Sequence, residues 1–214
     1  RLVAVSGRPQ GLMYISEWDP ASQTITRRLP ISPSNPIGSI KFDPANPRFV
    51  YTTEVFLGII RKVDTLSGTE YMRVRFFSGK RMPYSATTAG STGYVTGYRT
   101  PLIHKLDLDS GKLAGTLDLP GLSGSGEIAY YDGKLYLGAY TSVIVVNAAD
   151  GSFVSSHTAP EGFFLSGLTF FRDKIAAVAG PIGQQPDRML ILDARTFSVL
   201  GTHLFELPLQ NRIG

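Results

Sequence analysis

The chain has no cysteine, three histidines and one tryptophan in 214 residues. Without cysteine there is neither a disulfide framework nor a thiolate metal site, and three imidazoles leave little for zinc or for acid–base chemistry. No apolar run approaches the roughly 18 residues that a membrane-spanning helix requires. The opening stretch Arg1 to Gly11 lacks the basic and apolar regions of a signal peptide. Helical signals are missing as well: Gly, Pro, Asn or Asp interrupts every longer apolar window, so no helix of useful length is expected.

Charged residues are also scarce, at 18%, but with 43% hydrophobic residues, 23 Gly and 14 Pro the composition is that of a folded, turn-rich chain rather than a disordered one. The net charge of +4 is unevenly placed, since residues 1–107 hold 14 Lys and Arg against 7 Asp and Glu. These basic residues come in pairs such as Arg27-Arg28, Arg61-Lys62 and Lys80-Arg81, which read as a solvated surface. Arg27, Arg28, Arg73 and Arg75 form the alternative, a basic side wall for an anionic polymer, but without interleaved aromatics nucleic acid is not the expected partner.

What the chain does contain is a repeat. Arg61-Lys-Val-Asp64-Thr-Leu-Ser-Gly68, His104-Lys-Leu-Asp107-Leu-Asp-Ser-Gly111, Val145-Val-Asn147-Ala-Ala-Asp-Gly151 and Ile191-Leu-Asp193-Ala-Arg-Thr-Phe197 are versions of one phrase. Asp64, Asp107, Asn147 and Asp193 lie 43, 40 and 46 residues apart, and Ser16 takes the matching place 48 residues before Asp64. An Asp or Asn closing a strand bonds the backbone N–H groups of the following turn, and Gly four residues on supplies a positive φ at no steric cost. The phrase is thus a hairpin loop with a bulge. An extended segment follows each copy: Glu70–Phe77, Leu113–Leu119, Phe153–Thr158 and Val199–Leu207.

Short β-branched or apolar strands begin at Leu2, Phe49, Tyr94, Leu135 and Ile175, and four of them are preceded by another strand, at Ser39–Phe42, Tyr84–Ala89, Glu127–Tyr131 and Leu168–Phe171. Four strands per period of about 40–45 residues is the pattern of a β-propeller blade. The fold class expected is all-β: a propeller of four-stranded antiparallel blades, five visible and one incomplete, in a single domain or propeller segment over 1–214. The incomplete blade covers 2–36, and the others run near 38–79, 82–121, 124–162 and 165–208. Strand A of the first must come from elsewhere. Either the C-terminal stub Leu209–Gly214 closes a five-bladed ring or the chain belongs to a larger propeller, and the second is favoured because the stub stops short of a strand.

The stretch Lys80–Gly121, with Pro83 opening one strand, Gly93-Tyr94-Val95-Thr96-Gly97 in the next and Asp107-Leu-Asp-Ser-Gly111-Lys in the turn, resembles the YVTN-type propeller repeat. Gly97 stands where that signature ends in Asn, and the other blades keep the spacing with weaker motifs. The resemblance implies a propeller and an extracytoplasmic or cell-surface setting, among relatives that resemble lactonases and quinoprotein dehydrogenases. It implies no particular activity.

Propeller sites form over the central channel, so the candidate binding residues are Glu54, Arg81, Arg99, Glu127, Tyr140 and Phe163, in the loops expected on that face. Glu54 and Glu127 are the only carboxylates placed to approach a divalent metal, too few for a ligand set, so no metal and no cofactor are expected. His157 and His203 occupy matching places in successive last strands, and no His neighbours a nucleophile motif. Asp64, Asp107 and Asp193 fall one per blade, as turn residues rather than a carboxylate cluster. Glycine-rich Gly121–Gly126 lacks the Lys-Ser/Thr of a phosphate loop. The reading that follows is a non-catalytic propeller that binds a protein or a surface polymer. The alternative is a lactonase-like or cofactor-dependent enzyme with its site over the channel.

Overall fold

The computed structural model describes residues 2–7, 13–19, 24–31, 37–43, 46–54, 58–75, 83–97, 100–119, 126–139, 141–159, 163–171, 173–181 and 188–204. Among these residues every regular element is a strand, and no helix is long and apolar enough to cross a membrane. The first blade is β4 (Ile37–Phe42), β5 (Phe49–Glu54), β6 (Ile59–Asp64) and β7 (Glu70–Arg75); the second is β8 (Pro83–Ala89), β9 (Thr92–Gly97), β10 (Leu102–Asp107) and β11 (Lys112–Asp118). The third is β12 (Ile128–Tyr131), β13 (Lys134–Ala139), β14 (Ser142–Asn147) and β15 (Phe153–Thr158), and the fourth is β16 (Phe163–Phe171), β17 (Lys174–Pro181), β18 (Arg188–Asp193) and β19 (Val199–Leu204). Each is a four-stranded antiparallel sheet in sequence order. Neighbouring blades meet chiefly through β4, β8, β12 and β16, which are therefore the inner strands.

Ahead of them, β1 (Leu2–Gly7), β2 (Met13–Asp19) and β3 (Thr24–Ile31) make a three-stranded sheet with β1 against β4. Four blades are complete, and this sheet is not a fifth, because no inner strand joins it among the described residues. Leu209–Gly214 lies outside those residues. The matching of Ser16 with Asp64 also needs correction: Ser16 pairs with Ala4 and Arg28 inside β2. Asp19, which follows the bulge in β2 as Asp64 follows the one in β6, is the structural counterpart. The phrase lacks its Gly here, with Gln23 four residues after Asp19, so spacing alone misplaces it.

The repeated phrase works as its chemistry requires. Asp107 Oδ1 accepts the N–H of Asp109 (2.9 Å) and Ser110 (3.2 Å), and Asp193 Oδ1 accepts those of Arg195 (2.9 Å) and Thr196 (2.8 Å). Asp64 Oδ1 takes the N–H of Leu66 (2.7 Å), and its Oδ2 accepts from both Nη2 and Nε of Arg48 (2.6 and 3.0 Å). The Arg48 guanidinium holds the Asp64 carboxyl well below the usual carboxylate range, and backbone bonds from the turn lower Asp107 and Asp193.

Between blades the core is a series of apolar layers. Tyr51, Ile60 and Val74 of the first blade pack on Ala86, Val95 and Leu106 of the second. Tyr94 and Ile103 meet Ile128, Leu135 and Leu137, and Tyr136, Val143 and Val145 meet Leu168, Ile175 and Leu190. Tyr51, Tyr94 and Tyr136 hold one position in three blades. Tyr94 stacks on Tyr130 of the next blade at 6.2 Å, and Tyr136 lies against Phe170 at 4.5 Å.

The fourth turn departs from the others. Gly68, Gly111 and Gly151 carry φ of 75°, 66° and 78°, and Phe197 stands in the same place at 58°. A left-handed residue with a Cβ costs about 1–2 kcal/mol, and a bulky one is a genuine outlier. The ring is held by a parallel stack on His157 of the third blade, 3.9 Å between centroids, and by Tyr136 at 6.0 Å; such pairs each offset about 0.5–1.5 kcal/mol.

Two outcomes are expected. Gly151→Ala places a Cβ 3.3 Å from Leu117 Cβ at a positive φ, so urea unfolding should show about 1–2 kcal/mol lost; an unchanged midpoint would contradict the strain. Burial lowers the His157 pKa from its ordinary 6.5. The unfolded chain then takes the proton first, and stability present above pH 6.5 falls as the pH drops toward the folded value. The melting temperature of His157→Gln should gain on the parent between pH 7.5 and 5, and parallel profiles would count against a partly buried imidazole held neutral.

Candidate functional site

The inner strands carry a repeated pair of hydroxyls. Ser39 pairs with Thr53 and Ser85 with Thr96 in the first two blades. In both, the Thr hydroxyl donates to a carbonyl of the next blade, Thr53 to Tyr84 (3.0 Å) and Thr96 to Gly126 (2.9 Å). The Ser hydroxyl accepts an N–H from the next inner strand, Ser39 from Ala86 (3.3 Å) and Ser85 from Ile128 (3.4 Å). These bonds satisfy buried backbone groups that a propeller leaves between sheets.

In the third blade the pair becomes Glu127 and Gly138, joined by a backbone bond of 2.9 Å. The missing side chain at Gly138 admits Leu168, whose Cδ1 lies 3.6 Å from where a Cβ would stand. The Glu127 carboxylate accepts from Ser85 Oγ (2.9 Å) and pairs with Lys41 Nζ at 3.0 Å. Lys41 also donates to the carbonyl of Leu168 at 2.6 Å. Groups from four blades thus converge where the inner strands face one another, with the side chains of Lys41 and Glu127 only 16% and 9% exposed. A strand position alternating with Ile40 and Phe42 puts Lys41 on the same side as Ser39, and its length carries the ammonium across to β16. Both charges are taken up in joining strands.

Glu54 ends β5 fully buried, and its Oε1 accepts from Arg61 Nε. Arg61 also bonds Glu70, which takes Arg73 Nε at 2.7 Å and Nη2 at 3.0 Å. Burial pushes the Glu70 carboxyl up, but the bonds from Arg73 and Arg61 outweigh it and hold it below its ordinary value. Lys62 pairs with Asp43 at 2.7 Å. Arg48, Arg61, Lys62 and Arg73 are thus paired with carboxylates within the first blade.

The candidate residues are not gathered into one place. Glu127 belongs to the Lys41 junction and Glu54 to the separate Arg61 ladder. Phe163, expected in a loop, opens β16 opposite Pro181, because a bulge at Leu165 and Gly167 lets that strand continue; its side chain, with Arg81, Arg99 and Tyr140, lies outside the described residues. His104 is buried in β10. Trp18 belongs to β2, where it pairs with Leu2 and Ile25.

Two features escaped the sequence reading. One is Lys41, whose only signal is a charge in an inner strand. The other is the outer strands, where large apolar side chains directly after the repeated turns stand in solvent: Tyr71 is 60% exposed, Leu113 53%, Phe153 69% and Leu200 53%. Leu113, Phe153 and Val199 are equivalent, each opposite the residue that follows its bulge. The signal was an apolar residue within three positions of each turn Gly or its Phe197 counterpart.

Removing one partner of the buried pair strands the other, so Lys41→Met and Glu127→Leu should each lose about 3–5 kcal/mol in urea unfolding. The double variant should lose clearly less than the sum. Additive losses would show that the two charges are not coupled.

No family model matches this chain, and no curated protein matches it in sequence. Among solved structures it is similar to hydrazine synthase of Kuenenia stuttgartiensis, with a TM-score of 0.59, 11% identity, and 78% of this chain aligned to 48% of that one. It is similar also to U3-55K (TM-score 0.61, 15% identity, 83% of this chain and 54% of that one). A third is the WD40 repeats of RRP9 (TM-score 0.58, 16% identity, 82% and 52%). The chain spans about half the length of these structures. Likeness at such identities concerns the backbone path alone, and with the sheet order it makes this chain a β-propeller of four-stranded antiparallel blades.

Proposed function

We propose that this chain is a binding and scaffold module that engages a protein partner through the rim formed by its outer strands. The observation that carries the reading is the recurrence of exposed Leu113, Phe153 and Val199 at one place just after the turns of three successive blades, with Tyr71 and Leu200 exposed one residue further on in the first and fourth. Recurring exposed apolar groups mark surfaces that another molecule covers. The reading is supported from the other side by Glu54 and Glu127, which are held by Arg61 and Lys41 rather than offered to a substrate. Likeness to WD40-repeat structures supports it at the level of the fold. An extracytoplasmic or cell-surface setting is part of the same proposal and rests on the sequence resemblance.

The test is affinity capture from extract of the source organism with the parent chain and with Leu113→Glu, Phe153→Glu and Leu200→Glu combined. All three side chains are more than half exposed, so melting should be little changed. Captured partners should fall by about tenfold or more, as expected when a charge enters an apolar contact. Equal capture by both proteins, or none by the parent, would overturn the rim assignment.

A further inference from the structure

The repeated turns do more than end a strand, because each rests on the preceding blade. A Cβ at Gly111 would lie 3.7 Å from Val74 Cγ2, and one at Gly151 3.3 Å from Leu117 Cβ. Val74, Leu117 and His157 are equivalent positions of successive outer strands, opposite Ile60, Ile103 and Val143. At two junctions, then, glycine sits directly on an aliphatic side chain. At the third the same two places hold Phe197 and His157, and the rings stand face to face. The thickness of the added ring keeps the fourth-blade turn off β15, and a groove of about 430 Å³ remains between the third and fourth blades.

Its walls are Tyr131, Tyr136, Val154, His157 and Phe197. Lys134 and Arg195 also line it, and neither makes an ion pair among the described residues, while one carboxylate, Asp132, shares the lining. The bordering strand is β15, Phe-Val-Ser-Ser-His-Thr, which has no Lys, Arg, Asp, Glu or Pro, whereas β7 carries Glu70, Arg73 and Arg75. Charges of that kind protect a sheet edge from pairing with another chain, and β15 lacks them. Its outer edge pairs with no strand among the described residues.

We propose that this groove docks an extended peptide segment of a partner protein, which adds along β15, places an aromatic or aliphatic side chain against Tyr136 and Phe197, and presents carboxylates to Lys134 and Arg195. Strand addition supplies sequence-independent backbone bonds, and the groove supplies the choice of side chain. The excess of two cations over one carboxylate selects an acidic segment over a basic one. A strained Phe197 in a turn that glycine fills elsewhere is the kind of local outlier that persists where a site uses it. This assignment rests on the reading of the chain as a protein-binding module.

The probe is the synthetic peptide acetyl-Glu-Val-Asp-Phe-Glu-Val-amide, titrated into the full chain by calorimetry, beside a version with lysine at each acidic position. The acidic peptide should bind the parent chain and lose affinity as salt is raised. It should bind about tenfold or more weakly to Phe197→Gly, which restores the closing turn, and to Lys134→Glu with Arg195→Glu. Phe197→Asn, which tolerates the same φ, serves as a second closure should the glycine variant not melt cooperatively. Equal binding to the closed-turn variants, preference for the lysine peptide, or no binding by the parent would each overturn the proposal. The rim variant with Leu113, Phe153 and Leu200 replaced is titrated in parallel. Peptide failure alongside rim-dependent capture would remove the groove and leave the binding-module reading, whereas failure of both would remove both.

Discussion

Everything in this molecule depends on how one sheet is held against the next. A four-stranded blade has two faces and no layer of helices to cover them, so each face must be buried by a neighbouring copy. Packing of Tyr, Val, Ile and Leu gives most of the contact. Apolar packing is tolerant of sliding, however, and the inner strands also bring buried backbone groups together. The hydroxyls of Ser39, Thr53, Ser85 and Thr96 answer both needs, because each bond to the next blade forms in one register only. The Lys41–Glu127 pair does the same where the hydroxyl pair is absent, and it ties the first blade to the third and fourth.

Departures from the repeat then become the informative positions. Glu127 with Gly138 replaces Ser with Thr, and the outcome is a buried ion pair at the centre. Phe197 replaces glycine and His157 an aliphatic residue, and the outcome is an open groove near the rim. Both changes are local, and both leave the strand order of their blades untouched. Each departure is held because the four strands of a blade are joined by their own backbone ladders, which neither change touches. This is how a repeat architecture carries a site without a change of fold.

The blades were legible in the sequence for a simple reason. Turn chemistry is local: Asp107 or Asp193 bonds groups two and three residues away, and Gly111 or Gly151 needs only its own φ. Strand alternation is local too. Ser16 was mismatched with Asp64 because Gln23 stands where the phrase has its Gly after Asp19, and β16 ran five residues longer than its apolar core because a bulge at Leu165 and Gly167 carries the strand on. Glu54 and Glu127 were read as neighbours over a channel, since a sequence shows that two carboxylates exist but not which cation each will meet. Arg61 lies seven residues from Glu54 and was still not recognised as its partner, because it stands opposite Thr52 and reaches Glu54 diagonally, a contact that depends on register.

By itself the sequence determined the class of structure, the position of nearly every strand and the structural role of the turn aspartates, since all of these follow from interactions within about ten residues of chain. Tertiary structure alone decided that Lys41 meets Glu127 and Leu168, 86 and 127 residues away, that Phe197 stacks on His157, and that the apolar residues of the outer strands are left in solvent. Those outcomes depend on the curvature that brings distant blades together and on which strand ends a sheet, and neither is encoded in any single repeat.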